Sequence, residues 1–225
     1  ESPKAAPLEI CGRCFPANHV GGDFYQYYSK EGHVSVCLAD VSGKAMDAAI
    51  PVVMFSGVLN SQMEDPRPLS DRFDRLNRSL YRSLDPRTFI FFEMAEFDAV
   101  SRTALYTNAG CPYPYLYRAV DDSVQEFESD NYPLGVTPEQ VYQTVEINVV
   151  LGDVVVFCSD GIAEEINDQN EQFGYTRTQS VVLDACRAGM SADRIADHIL
   201  SAVETFRGKK LQSDDMTCVV VRVSG

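Results

Sequence analysis

Nine strand-length segments alternate apolar with polar residues or run unbroken through apolar ones, and the helical periodicity falls in pairs between groups of them. The spacing predicts strands at about 8–15, 23–28, 33–39, 88–97, 102–108, 113–118, 140–148, 153–158 and 216–223, and helices at about 44–63, 68–84, 175–188 and 191–207. Short turns such as "DAVSR" (98–102) and "LGD" (151–153) join neighbouring strands, which makes them antiparallel hairpins. A doubly wound parallel sheet needs a helix after each strand, and this order excludes it. The expected class is α+β, with a central sandwich of two antiparallel sheets packed face to face and flanked by helix pairs. That packing accounts for the unbroken runs "VVVFC" and "CVVVRV", which suit strands buried on both faces.

Composition narrows the function. A net charge of -14, with Lys209-Lys210 the only basic pair of note, excludes a nucleic-acid partner held through phosphates. No apolar run approaches the ~18 residues of a membrane span. Seven cysteines make an odd set for a disulfide framework and there is no signal-peptide pattern, so free thiols and a cytoplasmic location are expected. Residues 1–9, "ESPKAAPLE", read as a linker remnant ahead of one domain at 10–225, with a sensor or regulatory domain expected before them.

Acids stand where strands end. "VGGDFY" places Asp23 after two glycines, "VCLADVSG" stops a buried strand on Asp40, "VVVFCSDG" stops another on Asp160, and "SDDMTC" opens the last strand with Asp214 and Asp215. A carboxylate at the end of a buried strand is disfavoured by β-propensity and by desolvation unless something compensates its charge. Four such points beside small residues suggest convergence on a hard cation, Mg²⁺ or Mn²⁺, held by few carboxylates and water. The three histidines, His19, His33 and His198, are isolated and form no competing set.

"VGGDFY", "LADVSGKAMDAA", "TFIFFEMAEFD", "LYTNAGCPYPYLYR", "PLGV", "GDVVVFCSDGIAEEIN" and "DDMTCVVVR" resemble, in order and spacing over about residues 8–223, the metal-dependent type 2C (PPM) protein phosphatases, and among them the bacterial SpoIIE/RsbU branch. The resemblance implies two divalent cations, Mn²⁺ or Mg²⁺, with Asp40 bridging both, the Val41 carbonyl beside it, and Asp23, Asp160 and Asp214 completing the set. Asp215 is carried as a further candidate ligand. The catalytic group is then Asp23, Asp40, Asp160 and Asp214. The implied reaction is hydrolysis of a phosphoserine or phosphothreonine by a bridging metal-bound hydroxide. The implied substrate is a phosphorylated STAS-domain protein of the anti-sigma-antagonist kind. A regulatory pseudophosphatase that binds a phosphoprotein without turnover is the alternative.

Other residues read as structural. Asp153 follows a turn glycine and starts a strand, Cys11 and Cys14 on one strand point to opposite faces, and Asp47 and the Glu164-Glu165 pair read as solvated or capping. Relatives commonly have His where Cys111 stands, a second Asp at Gln26 and Gly-Met-Pro at Ala45-Met46-Asp47, none of them a primary ligand. Helices 44–63 and 68–84 carry apolar residues on more than one face, including Ile50, Val53, Met54, Val58 and Leu59, and Pro51 falls inside the first. In the resemblance this pair is the regulatory switch, which implies a homodimer through it.

Overall fold

The computed structural model describes residues 8–30, 32–43, 46–98 and 100–224. Residues 1–7 of the expected linker, and Lys44 and Ala45 where the first helix was expected to begin, lie outside the described residues. The chain divides into two compact units, each with its own antiparallel five-stranded sheet and its own pair of long helices, to which the first adds the single turn of α3 at Asp160–Ala163.

The first unit comprises Glu1–Ala17, Pro112–Glu128 and Val149–Gly225. Its strands are β1 (Leu8–Phe15), β6 (Tyr115–Arg118), β7 (Ser123–Glu126), β9 (Val154–Cys158) and β10 (Met216–Val223), in the order β1-β10-β9-β6-β7. Leu8 and Glu9, which the linker reading covered, are the first two residues of β1 and pair with Val223 and Arg222. Its helices are α3 (Asp160–Ala163), α4 (Tyr175–Arg187) and α5 (Ala192–Arg207). On α5, Ala192, Ile195, Ala196, Ile199 and Val203 recur at helical spacing and pack with Val182 and Ala185 of α4 onto Val156, Cys218 and Val220 of the sheet. Ser191 is the N-cap of α5, but its side chain makes no capping bond. The Ala192 amide donates instead to Glu9 Oε2 at 3.4 Å, so β1 satisfies a group that the helix leaves open.

The second unit comprises Asn18–Cys111 and Ser129–Asn148. Its strands are β2 (Asp23–Lys30), β3 (His33–Val41), β4 (Ile90–Asp98), β5 (Thr103–Ala109) and β8 (Val145–Asn148), paired in chain order. Its helices are α1 (Met46–Glu64) and α2 (Leu69–Ser83). Leu69, Phe73, Leu76 and Leu80 form the buried stripe of α2 and meet Phe55 and Leu59 of α1 over Ala39, Phe92 and Met94. Phe92 is the hub of that core, with ring centroids 5.0 Å from Phe55 and 4.9 Å from Phe73.

α1 continues past Pro51 and thereby forgoes one backbone donor. Ile50 and Val53, one turn apart on it, are 72% and 73% exposed while Phe55 and Leu59 are fully buried, so α1 is apolar on two sides. Among the described residues no helix is long and apolar enough to cross a membrane.

Candidate active site

The second unit brings Asp23 and Asp40 together. Asp23 opens β2, Asp40 is the penultimate residue of β3, and the two are direct cross-strand partners. Like charges placed directly opposite repel, so the pairing suits a bound cation. The local sequence makes the approach possible: a Cβ on Gly22 would lie 2.6 Å from the Val41 carbonyl oxygen and 3.3 Å from Asp40 Oδ1. With no side chain at 22, the Gly22 carbonyl accepts the Val41 amide at 3.1 Å and extends the ladder past the acids. Ser42 then fixes the outgoing turn: its amide donates to the Phe89 carbonyl at 3.0 Å and its Oγ accepts the Phe89 amide at 2.9 Å. Ser42 and Gly43 line a groove of about 770 Å³ with Ile50, Pro51, Met54 and Leu84.

The first unit brings Asp160 beside Asp214. Strand β9 ends at Cys158, directly opposite Cys218 of β10, so the chain leaving β9 runs past the segment entering β10. Ser159 ties them: its amide donates to the Thr217 carbonyl at 2.9 Å and its Oγ accepts the Thr217 amide at 2.9 Å. The backbones are so close at Gly161 that a Cβ there would lie 2.0 Å from the Asp215 carbonyl oxygen. Asp160, first residue of α3, is partly buried, and its carboxyl is held above the usual carboxylate range by that burial and by the negative charges of Glu164 and Asp214.

Asp214 and Asp215 differ in their engagements. Asp214 Oδ1 accepts the Asp215 amide at 2.9 Å, and Asp215 Oδ1 accepts the Ala17 amide at 2.8 Å. Gln212 braces the same segment, its Nε2 donating to the carbonyls of Phe15 at 2.6 Å and Asp214 at 2.7 Å. Within either unit, among the described residues, no three His, Cys, Asp or Glu side chains form a metal-holding group; each unit supplies its own acidic pair.

Several residues set aside from the site have clear structural duties. Asp153 is fully buried and receives Arg118 Nη1 at 2.9 Å, the Ala119 amide at 3.0 Å and the Val150 amide at 3.1 Å. All seven cysteines are free thiols. Cys11 is pushed up to about 11 chiefly by burial, which makes it a poor thiolate. Cys111 is buried, its amide donating to Asn108 Oδ1 at 2.8 Å. Glu165, expected to be solvated or capping, is instead completely buried.

Two antiparallel sheets with flanking helix pairs and acids at the strand ends define the type 2C phosphatase class of α+β domain, and the comparisons with known proteins agree. The chain belongs to the stage II sporulation protein E (SpoIIE) family, whose model matches residues 30–224. It is 26% identical over 162 residues to the phosphoserine phosphatase RsbU of Bacillus subtilis, a match covering 72% of this chain and 48% of that protein. The chain therefore spans about half the length of that curated relative. Among solved structures, the SiaA-PP2C domain of Pseudomonas aeruginosa superposes with a TM-score of 0.84 at 19% identity, over 95% of this chain and 84% of that one. RsbX in complex with magnesium superposes with a TM-score of 0.72 at 13% identity, over 100% of this chain and 99% of that one. These likenesses establish the fold.

Proposed function

We propose that the chain is a metal-dependent phosphoserine/phosphothreonine protein phosphatase. The observation that carries the reading is the pairing of Asp23 with Asp40 across β2 and β3, in a chain of the SpoIIE family. Asp23, Asp40, Asp160 and Asp214 supply carboxylates for two divalent cations, Mg²⁺ or Mn²⁺, with the Val41 carbonyl and Asp215 as further candidates. The donor chemistry fits: oxygen ligands from carboxylates and a backbone carbonyl suit hard cations. The magnesium complex of RsbX, which shares the fold, supports the choice of metal. Bound there, the cations would neutralise the phosphomonoester and lower the pKa of water to make the nucleophile.

The chain's own residues serve that chemistry by position and charge. Asp23 and Asp40 are fixed by the β2–β3 ladder and Asp160 by the turn that Ser159 holds, so none needs to reorganise on binding. Burial pushes the thiols of Cys11, Cys37 and Cys186 up to about 11, about 12 and about 12, which disfavours a covalent route through them and favours direct attack by water.

The kinship with the phosphoserine phosphatase RsbU supports a phosphoprotein substrate, and within that reading a phosphorylated STAS-domain protein is our choice. The exposed Ile50 and Val53 support pairing of two copies through α1 and α2 as the control of the Asp40 segment, with five residues in sequence between Asp40 and Met46, the first residue of α1. A Mn²⁺ titration of phosphate release from a serine-phosphorylated STAS protein tests the reading. Release should rise with Mn²⁺ or Mg²⁺ and stop with EDTA. Turnover persisting in chelator overturns the metal reading, and binding of the phosphoprotein without release at saturating metal establishes the pseudophosphatase alternative.

A further inference from the structure

Glu165 lies inside the first unit at a place where a charge is expensive. Its side chain has no exposed surface, and an ion there costs several kcal/mol unless it is paired and fully hydrogen-bonded. On the Glu165 side both conditions are met; on the other, Arg207 Nε and Nη1 are buried with no hydrogen-bond partner among the described residues, so the pair is a charge contact and not a hydrogen bond. Oε1 accepts the Ile166 amide at 3.2 Å and Ser213 Oγ at 3.2 Å, Oε2 accepts the Ser213 amide at 3.3 Å, and Arg207 Nη1 of α5 stands 3.8 Å from Oε2. The Arg207 side chain is itself only 14% exposed, so the pair is shielded from water.

Both ends of this arrangement reach the acidic pair. Along the chain, Glu165 follows α3, which Asp160 opens. Through its hydrogen bonds it grips Ser213 by backbone and side chain together, and Ser213 is the residue immediately before Asp214. The segment from Gln212 to Asp215 has no regular secondary structure, so such tethers decide where Asp214 points. Gln212 and Ala17 hold its flanks, and Glu165 holds the residue next to the carboxylate.

We propose that Glu165 is a positioning residue for the cation site: its buried carboxylate, balanced by Arg207, fixes Ser213 so that Asp214 presents its own carboxylate beside Asp160. This rests on the reading of Asp160 and Asp214 as cation ligands. A carboxylate does this better than an amide because both oxygens accept, and all three hydrogen-bonding partners are donors. Glu165→Gln places an NH₂ group against at least one of those donors. The Asp214 backbone is then free to shift, and a misplacement of ~1 Å is enough to cost about a hundredfold in rate.

The experiment measures Mn²⁺ binding directly, by the electron paramagnetic resonance signal of free Mn²⁺ without substrate, for the wild type, Glu165→Gln, Ser213→Gly and the double variant, with Tm, kcat and KM for each. Glu165→Gln is expected to weaken Mn²⁺ binding roughly 10–100-fold, the range seen when groups that orient a metal ligand are lost, and to lower kcat more than it changes KM. The double variant should be no worse than the weaker single, because both act through one tether. Ser213→Gly leaves Glu165 and Arg207 paired, so it reads the tether even if Glu165→Gln does not fold. Unchanged Mn²⁺ affinity in folded Glu165→Gln, or in folded Ser213→Gly, which loses the Oγ bond and keeps the backbone one, or strictly additive losses in the double variant, overturns the proposal. A wild type that binds no Mn²⁺ overturns the cation reading itself, and the positioning role with it.

Discussion

Asp23 and Asp40 face each other directly across the β2–β3 ladder, two like charges in register where the strands come closest to the Gly22 turn. A cross-strand pair of like charges destabilises a sheet, by roughly 0.2–1 kcal/mol on the scale of such pairs. Asp40→Asn removes the repulsion and one ligand together. In EDTA the variant should therefore be as stable as the wild type or slightly more so, while Mn²⁺ raises its Tm less and turnover drops at least a hundredfold. Thermal unfolding with and without Mn²⁺ checks this, and a variant that unfolds in chelator while the wild type does not would show Asp40 to be structural.

Gly22 and Gly161 make the same accommodation in separate units. In each, a Cβ would fall inside contact distance of a backbone carbonyl, at 2.6 Å from Val41 O and 2.0 Å from Asp215 O. Neither carbonyl is the far end of a flexible side chain, so the backbone itself must shift. Alanine at either position should cost about 1–3 kcal/mol in urea unfolding, as overpacking does. Activity should fall further than the lost folded fraction explains, because the carbonyls that move adjoin Asp40 and Asp214. Gly57, mid-helix in α1 where a Cβ meets nothing within 4 Å, is the control, and alanine there should raise stability by about 0.5–1 kcal/mol.

Asp153 separates stability from chemistry. Removing a fully buried acceptor typically costs about 1–3 kcal/mol for the buried donors it leaves unsatisfied, while Arg118, 24% exposed, can reach water. Asp153→Ala strips the Arg118 guanidinium and two backbone amides of their acceptor. Its Tm should fall accordingly, and at a temperature where it stays folded its kcat should match the wild type. A kcat loss in folded protein would place Asp153 in the reaction.

The strands were legible where one face or both had to be apolar. β9 and β10 are continuous runs, β3 has six consecutive buried residues before Asp40, and their predicted bounds differ from the observed ones by two residues at most. β7 was not legible, because Ser-Val-Gln-Glu at a sheet edge buries little and carries no period. The predicted strand at 140–148 shrinks to Val145–Asn148, since Tyr142 is buried by packing on α2, its amide donating to Asp74 Oδ1, rather than by strand pairing. The acids were legible as positions in the chain, Asp40 and Asp160 because each follows an apolar run, Asp23 and Asp214 because each stands at or just before the start of a strand. Glu165 was not, since nothing local distinguishes a buried acid from the solvated Glu that usually follows a helix end. Its partners Arg207 and Ser213 become its neighbours only in the fold.

Glu93 offers a test by pH. It lies in β4 between Phe92 and Met94, completely buried, with Tyr106 Oη donating to Oε2 at 2.9 Å and with no hydrogen-bond partner for Oε1 among the described residues. Leu38 and Asn108 are its cross-strand neighbours, so no opposite charge faces it along the ladder. Burial pushes its carboxyl from 4.5 up to about 8, against the smaller lowering by Tyr106, so at neutral pH the group is held largely as the neutral acid. In the unfolded chain it ionises near 4.5, and between that value and about 8 the folded state holds the extra proton. Stability from this group is therefore fully present below pH 4.5 and is lost as pH rises towards about 8, at up to roughly 1.4 kcal/mol per pH unit. Glu93→Gln keeps the shape and cannot ionise. The difference in unfolding free energy, variant minus wild type, should increase steadily from pH 5 to pH 8 and level off above, as read by urea unfolding at each pH in EDTA. Other titrating groups are common to both proteins and cancel in the difference. A flat difference across that window would mean that Glu93 is ionised in the folded protein, with a compensating partner that Tyr106 alone does not provide.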